Sequence, residues 1–327
     1  MEILITGGCG FIGGHLAEAF VVNGHDVTVL DSLDDFYALD IKQYNISAAR
    51  KAAAEHDGTY TLVEGDIRDQ SVVNDTTVGT DVVFHQAAQA GVRHSVEEPQ
   101  AVNAVNVTGT LNCLQAAKTA DVDRFVLASS SSVYGKPQYL PYDEAHPTLP
   151  ISPYGASKVA AEHYTRVFNE LHDLSTVILR YFTVYGPRMR PNMAISNFVS
   201  RCMSGEPPVV YGDGSQTRDF TYIDDVVAAN RTLLTTGAAD GEILNIGSGD
   251  NIDIRSLAAL VRDRINPDLE ISFAQRYEAD AEHTHSDIQK ANECIGYDPS
   301  MDIPDGVEEF ISWYQRNQDW YEPLIRN

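Results

Sequence analysis

Cysteine, lysine and long apolar runs are all in short supply in this chain, and each shortage excludes something. The four cysteines, Cys9, Cys113, Cys202 and Cys294, are scattered and form no C-x-x-C pair. Buried reduced thiols are expected rather than a disulfide scaffold or thiolate cluster, and no metal site is expected. No stretch of about 18 apolar residues occurs, so neither a membrane-spanning helix nor a membrane partner is expected. The opening MEILITGG enters a strand at once, which leaves no room for a signal peptide and implies a cytoplasmic protein. Basic residues are few: 23 Lys and Arg stand against 47 Asp and Glu, a formal net charge of −24. That charge repels a phosphate backbone and argues against nucleic acid as a partner. Lysine is limited to Lys42, Lys51, Lys118, Lys136, Lys158 and Lys290. An acidic, lysine-poor composition points to a halophilic origin, where high salt screens the self-repulsion.

What the chain does have is rhythm. Its 327 residues are 43% hydrophobic, enough for one large domain or two. Short apolar runs at residues 3–5, 27–30, 60–63, 82–84, 125–127 and 177–179 read as buried parallel strands. Helical stretches lie between them, among them 15–22, ended by Asn23-Gly24, and 103–117. This alternation predicts an α/β fold with a doubly wound parallel sheet. After Arg180 the prolines 187, 191, 207 and 208 and the glycines of YGDGS break the pattern. A strand at 242–246, a helix at 256–265 and a strand at 270–273 follow. The expected division is residues 1–180 for a dinucleotide-binding domain, with some later segments returning to it, and 181–327 mainly for a smaller substrate-binding lobe.

The first strand runs directly into TGGCGFIGG, residues 6–14, and then a helix, the context in which a glycine fingerprint binds a dinucleotide. Gly7 permits a tight turn, Gly10 lets the backbone approach a pyrophosphate, and Gly13 lets helix and strand pack closely. Amides of Phe11 and Ile12 at the helix start face the negative phosphates. Asp31 ends the second strand, where a carboxylate accepts hydrogen bonds from ribose hydroxyls and repels a 2′-phosphate. Ser32, not arginine, follows it, so NAD is expected as cofactor rather than NADP. Asp66 and Ile67, at the end of the third strand, are placed to contact adenine.

Tyr154 and Lys158 lie four residues apart in SPYGASK. One helical turn puts both on one face, where the ammonium can lower a phenol that ordinarily titrates near pH 10, making it a base for an alcohol proton. The lysine can also bond the nicotinamide ribose. The fifth strand ends in ASSSSVYG, and one hydroxyl of residues 129–132 can bond the substrate hydroxyl and relay its proton.

These motifs, with FHQAAQAGVRHS, NVTGT, RYFTVYGPRMRP, YGDGSQTRDFTYIDD and LNIGSG, resemble the extended short-chain dehydrogenase/reductases, in particular the nucleotide-sugar epimerase and dehydratase family, over about residues 1–300. The resemblance implies a Rossmann domain and a catalytic set of Ser130, Tyr154 and Lys158. It places Asn106, Ala87, Ala88 and Tyr181 against the cofactor. Arg218 matches an arginine that grips the nucleotide-sugar diphosphate, and Tyr211 a residue lining the uridine pocket. Arg276 and Asp280 stand for an R-x-G-D pattern whose arginine is one place early. It also implies a homodimer formed through two helices per subunit, near 103–118 and 153–171.

Dehydratases and sugar-acid decarboxylases of this family carry an acidic residue shortly after the catalytic hydroxyl; Ser131 and Ser132 stand there instead. That favours a 4-epimerase, which oxidises C4, turns the keto-sugar and returns hydride to its other face. Thr183 replaces an asparagine common in 4-epimerases. RYFTVYGPRMRPNMAI and AAQAGVR are most similar to UDP-glucuronate 4-epimerases, in which Thr183, Ser131, Ser132 and Arg190 would meet the sugar carboxylate. Two alternatives stand beside this: an epimerase of UDP-glucose/UDP-galactose or another neutral NDP-hexose, and a non-catalytic NAD-binding regulator.

Overall fold

The protein is described by a computed structural model over residues 1–36, 38–275 and 282–325. Six strands alternate with helices from Glu2 to Tyr181: β1 (Glu2–Thr6), β2 (Asp26–Asp31), β3 (Thr59–Glu64), β4 (Val82–His85), β5 (Arg124–Ser130) and β6 (Ser175–Tyr181). Helix α1 (Phe11–Val22) joins β1 to β2, and helix α2 (Leu39–Glu55) joins β2 to β3. All strands of the sheet run parallel, in the order β6-β5-β4-β1-β2-β3, and the later strand Ile243–Ile246 extends it beside β6. The chain order reverses between β1 and β4, the place where such sheets open a crevice at their carboxyl ends.

The six strands expected between residues 3 and 179 fall inside the observed ones, each of which is longer by one to four residues. Helix α1 begins at Phe11, directly on the glycine turn. The 103–117 helix is part of a longer run from Pro99 to Thr119 that contains a π-helical turn at Ala104–Gly109. The expected 270–273 strand is Ser272–Ala274, paired with Val209–Tyr211 outside the main sheet. The 242–246 segment returns to the main sheet, because its buried ILNI pattern completes the apolar face beside β6.

Both faces of the sheet are covered. On one side Ile3, Ile5, Val27 and Val29 belong with α1 to one large core cluster, which extends to the C-terminal helix Ile303–Ile325 and its buried Phe310, Trp313 and Tyr314. On the other, Leu4, Leu30, Val83, Phe125 and Leu127 pack against Leu114, Ala117 and Phe168. One ion pair crosses this apolar layer. Arg180 on β6 donates two hydrogen bonds to Glu162, at 2.9 and 2.7 Å, and both side chains are buried. Breaking a buried pair leaves a charge without compensation. Glu162→Ala is therefore expected to destabilise the fold by about 3–5 kcal/mol, measured as the loss of unfolding free energy in urea; a change below about 1 kcal/mol would mean the pair is dispensable.

Candidate active site

The carboxyl ends of β1, β2, β4, β5 and β6 open into one cavity of about 400 Å³. Gly7 enters it with φ +70°, and a β-carbon there would lie 2.7 Å from the Ala87 backbone. A β-carbon on Gly13 would stand 2.4 Å from the Gly7 carbonyl oxygen, so helix and turn meet only because position 13 is glycine. The start of α1 has no side-chain cap and no acidic residue in its first turn. Its orphan amides and positive dipole end are thus available to an anion. Gly10, Phe11, Ile12, Gly13, Ala87, Ala88, Asp66, Ile67 and Tyr181 also line this cavity.

Asp31 lies at its far end, buried and already bonded. Its carboxylate accepts from the Cys9 amide at 3.0 Å, the Leu33 amide at 2.9 Å and the Lys42 ammonium at 3.2 Å. The first of these ties the glycine turn to the end of β2. Asp66 accepts from the backbone and guanidinium of Arg68, which holds its carboxyl below the ordinary range. A glycine cradle, uncapped amides and a carboxylate at the end of the second strand together fit a dinucleotide.

The catalytic candidates sit on the opposite wall. Ser152 caps its helix by accepting from the Gly155 amide at 3.1 Å, and Pro153 follows at the first helical position. Tyr154 thus falls in the first turn. Gly155 is required there, since a β-carbon would lie 2.5 Å from the Ser132 carbonyl oxygen. The close approach brings the Tyr154 phenol to the Ser130 hydroxyl. Burial raises that phenol above its ordinary value, while the Ser130 hydrogen bond and the Arg190 charge pull it down. The sequence pointed to Lys158 as the cation acting on the phenol; in this geometry the pull comes from Ser130 and Arg190. Lys158 instead donates to the Ala128 carbonyl at 2.8 Å, and its Nζ lies 5.9 Å from the Tyr154 ring centroid. Burial lowers the Lys158 ammonium to about 8, against the opposing pull of Glu162.

Of the four serines, Ser129 is committed to Glu162, to which it donates at 2.5 Å. Ser130, Ser131 and Ser132 face the cavity together with Thr183 and Arg190.

Asn106 does not line the cavity. It is buried behind the wall, accepting from the Gln89 amide at 2.8 Å and donating to the Gln89 carbonyl and the Ser157 hydroxyl. It fastens the segment after β4 to the helix that carries Tyr154. His85 braces the wall in the same way, its ring bridging Thr6 at 2.7 Å and Thr110 at 2.9 Å. Burial and the Lys158 charge push it down to about 3, so it stays neutral. Tyr211 and Arg218 also lie off the cavity wall. Tyr211 is 39% exposed, with the Arg93 guanidinium 5.4 Å above its ring. Arg218 donates to the carbonyls of Thr217 and Glu282. Arg276 and Asp280 fall outside the described residues. Lys42, Phe36, Gln86 and Gln89 line the cavity without having been expected. For Lys42, a cation eleven residues past Asp31 on an amphipathic helix was the available signal. Among the described residues, no group of three or more His, Cys, Asp or Glu is placed to hold a metal, and no helix is long and apolar enough to cross a membrane.

Tyr154→Phe keeps the ring and removes the proton acceptor. Turnover is expected to fall by about 10²–10⁴-fold with NAD still bound; near-normal turnover would remove Tyr154 from the mechanism. Protein denatured without added cofactor is expected to release NAD and not NADP, and Asp31→Ala to narrow the preference between them. Recovery of NADP as the bound species would overturn the role given to Asp31.

Comparisons with known proteins give the family of this chain. The model of the NAD dependent epimerase/dehydratase family matches residues 3–247. A putative UDP-glucose 4-epimerase of Methanocaldococcus jannaschii is 37% identical over 96% of this chain and 99% of its own. A UDP-glucuronate 4-epimerase of Thermodesulfobacterium geofontis is 33% identical over 96% of each. The crystal structure of a Bacillus cereus UDP-glucuronic acid 4-epimerase, in complex with UDP-glucuronic acid and NAD, superposes with a TM-score of 0.90. It is 33% identical and covers 97% of this chain and 99% of its own. This chain belongs to the NAD dependent epimerase/dehydratase family and is an NAD-dependent epimerase.

Proposed function

We propose that this epimerase acts on UDP-sugars at C4 and that its preferred pair is UDP-glucuronate and UDP-galacturonate. The placement of Arg190 carries the reading. Its guanidinium lines the same cavity wall as Ser131, Ser132 and Thr183 and acts electrostatically on the Tyr154 phenol. A cation this close to the base, flanked by three hydroxyls, suits a planar anionic group on the sugar carbon next to C4.

NAD, when bound, supplies the chemistry by accepting hydride from C4 and returning it to the other face. The chain's own groups do the rest. Against the burial that raises the Tyr154 phenol, the Ser130 hydrogen bond and the Arg190 charge favour its ionised form, which takes the C4 hydroxyl proton, with Ser130 also bonded to the sugar oxygen, and gives it back on return. Lys158, fixed on the Ala128 carbonyl, keeps a positive charge beside the ring. The 4-keto form of a sugar acid is a β-keto acid and loses carbon dioxide if its carboxylate turns out of the carbonyl plane. Several fixed donors on the carboxylate hold it in plane. No carboxyl side chain stands at residues 130–132 to eliminate water, which favours epimerisation over dehydration.

The kinship with a putative UDP-glucose 4-epimerase keeps a neutral hexose as the competing substrate, and one panel decides between them. UDP-glucuronate is expected to turn over with the higher kcat/KM and with little UDP-pentose, read by separation of the epimers. Arg190→Ala should cost the acid about 1.5–3 kcal/mol more than the neutral sugar if a charge-assisted bond is lost. UDP-glucose as the better substrate, with Arg190→Ala affecting both alike, would install the neutral-hexose epimerase instead. Binding of NAD and a UDP-sugar with no equilibration of any epimer pair would make the chain a binding protein. The exposed Tyr164, Val167 and Leu171, spaced three and four apart on the Tyr154 helix, support a homodimer through that face.

A further inference from the structure

Two residues before Arg190 the chain makes a costly turn. Arg188 has φ +66°, a left-handed conformation that an arginine adopts only when its surroundings compel it, and its side chain is buried. A buried guanidinium must have its donors satisfied. Arg188 places them on α1 and α2, the two helices that flank the glycine turn. Nε donates to His15 Nε2 at 3.2 Å, Nη1 to Asn45 Oδ1 at 3.2 Å and Nη2 to Glu18 Oε2 at 2.8 Å. His15 can accept only as the neutral ring, with its Nδ1 proton given to the Phe11 carbonyl at 2.9 Å; burial and the Arg188 charge both keep it neutral.

Asn45 is the next link. With its Oδ1 taken by Arg188, its amide nitrogen faces the glycine turn and donates to the Cys9 carbonyl at 3.0 Å and the Gly10 carbonyl at 2.9 Å. It lies so close over α1 that a β-carbon on Gly14 would meet it at 2.7 Å. A wall built for an anion must turn its carbonyls away, and Asn45 does this for the two residues where the turn becomes helix. On the other side of Arg188 the loop is equally fixed. Tyr321 donates to the Met189 carbonyl at 2.7 Å, and the Met193 amide and Ser196 hydroxyl donate to the Arg190 carbonyl, each at 3.2 Å.

We propose that Arg188, acting through Asn45, is a positioning residue that ties the pyrophosphate turn to the loop carrying Arg190, so that cofactor retention and recognition of the sugar acid are set together. The sugar arm of this statement rests on the function proposed above; the cofactor arm does not.

The test uses the full chain stripped of cofactor, with Arg188→Gln, Arg188→Lys, Asn45→Ala and the Arg188→Gln/Asn45→Ala double variant. NAD affinity is measured by titration without sugar, and kcat and KM with UDP-glucuronate and UDP-glucose. Arg188→Gln and Asn45→Ala are each expected to weaken NAD binding by about tenfold, the equivalent of one hydrogen bond to a charged group. The double variant is expected to be no weaker than the worse single one, since both break one chain of contacts. Arg188→Lys, which keeps the charge toward Glu18 but cannot fork to three acceptors, should fold as the parent does and show the same loss in smaller measure. In Arg188→Gln the KM for UDP-glucuronate should rise more than that for UDP-glucose. Unchanged NAD affinity in Arg188→Lys and Asn45→Ala, or strictly additive losses in the double variant, would overturn the proposal even with Arg190→Ala still discriminating the sugars. If UDP-glucose proves the better substrate while the NAD losses remain non-additive, the glucuronate reading falls and the link between Arg188 and the turn stands.

Discussion

The active site depends on how closely one helix lies against the end of one strand. Tyr154, Lys158 and Glu162 are spaced by four, so they form a single stripe on the helix Pro153–Leu171. Each meets the end of β5: the Tyr154 phenol at Ser130, the Lys158 ammonium at the Ala128 carbonyl, the Glu162 carboxylate at the Ser129 hydroxyl. The zipper closes only because Gly155 lets the first turn touch the Ser132 carbonyl. Alanine there would push Tyr154 and Ser130 apart with every residue of the catalytic set still present.

The same stripe explains how a lysine is kept buried. Desolvation disfavours its charge, and Glu162, one turn on, pulls the other way. Glu162 in turn is tied to Arg180 on β6, whose Nη1 bonds the Tyr134 hydroxyl; Tyr134 donates to Asn245 on the last strand of the sheet. Sheet edge, central strand and catalytic helix are thus joined by one polar chain through an apolar core. Such a chain rigidifies only when every member is satisfied, and each of these is.

What the sequence revealed was what local pattern can encode. The glycine turn, Asp31 at a strand end and the Tyr-x-x-x-Lys stripe each occupy a few consecutive residues, and all face the one cavity. The strand-helix alternation likewise located six of the seven strands of the sheet. The seventh was harder to place, because a four-residue apolar run reveals its state but not its neighbour. Asn45 and Arg188 carry no local signature for the same reason. Their meaning lies in contacts such as Arg188 with Asn45, 143 positions apart in sequence. Asn106 was expected in a site contact and instead braces the wall behind it, since a motif gives a residue's neighbourhood and not the direction of its side chain.

Charge distribution connects the site to the whole molecule. The chain is poor in cations, yet Lys42, Arg68, Lys158 and Arg190 all line one cavity of about 400 Å³. Only six lysines exist, and two of them are there. A formal charge of −24 repels any anion approaching the surface, and a UDP-sugar carries negative charge on its diphosphate. Local cations and amide dipoles act within a few ångströms in a low-dielectric pocket, where salt screens little. The repulsion of the acidic exterior acts over longer distances through water and is screened within about 10 Å at 0.1 M salt. Rising salt therefore weakens the opposing field first and leaves the binding contacts largely intact. An acidic exterior and an anionic substrate are compatible in this molecule because the two fields act over different ranges.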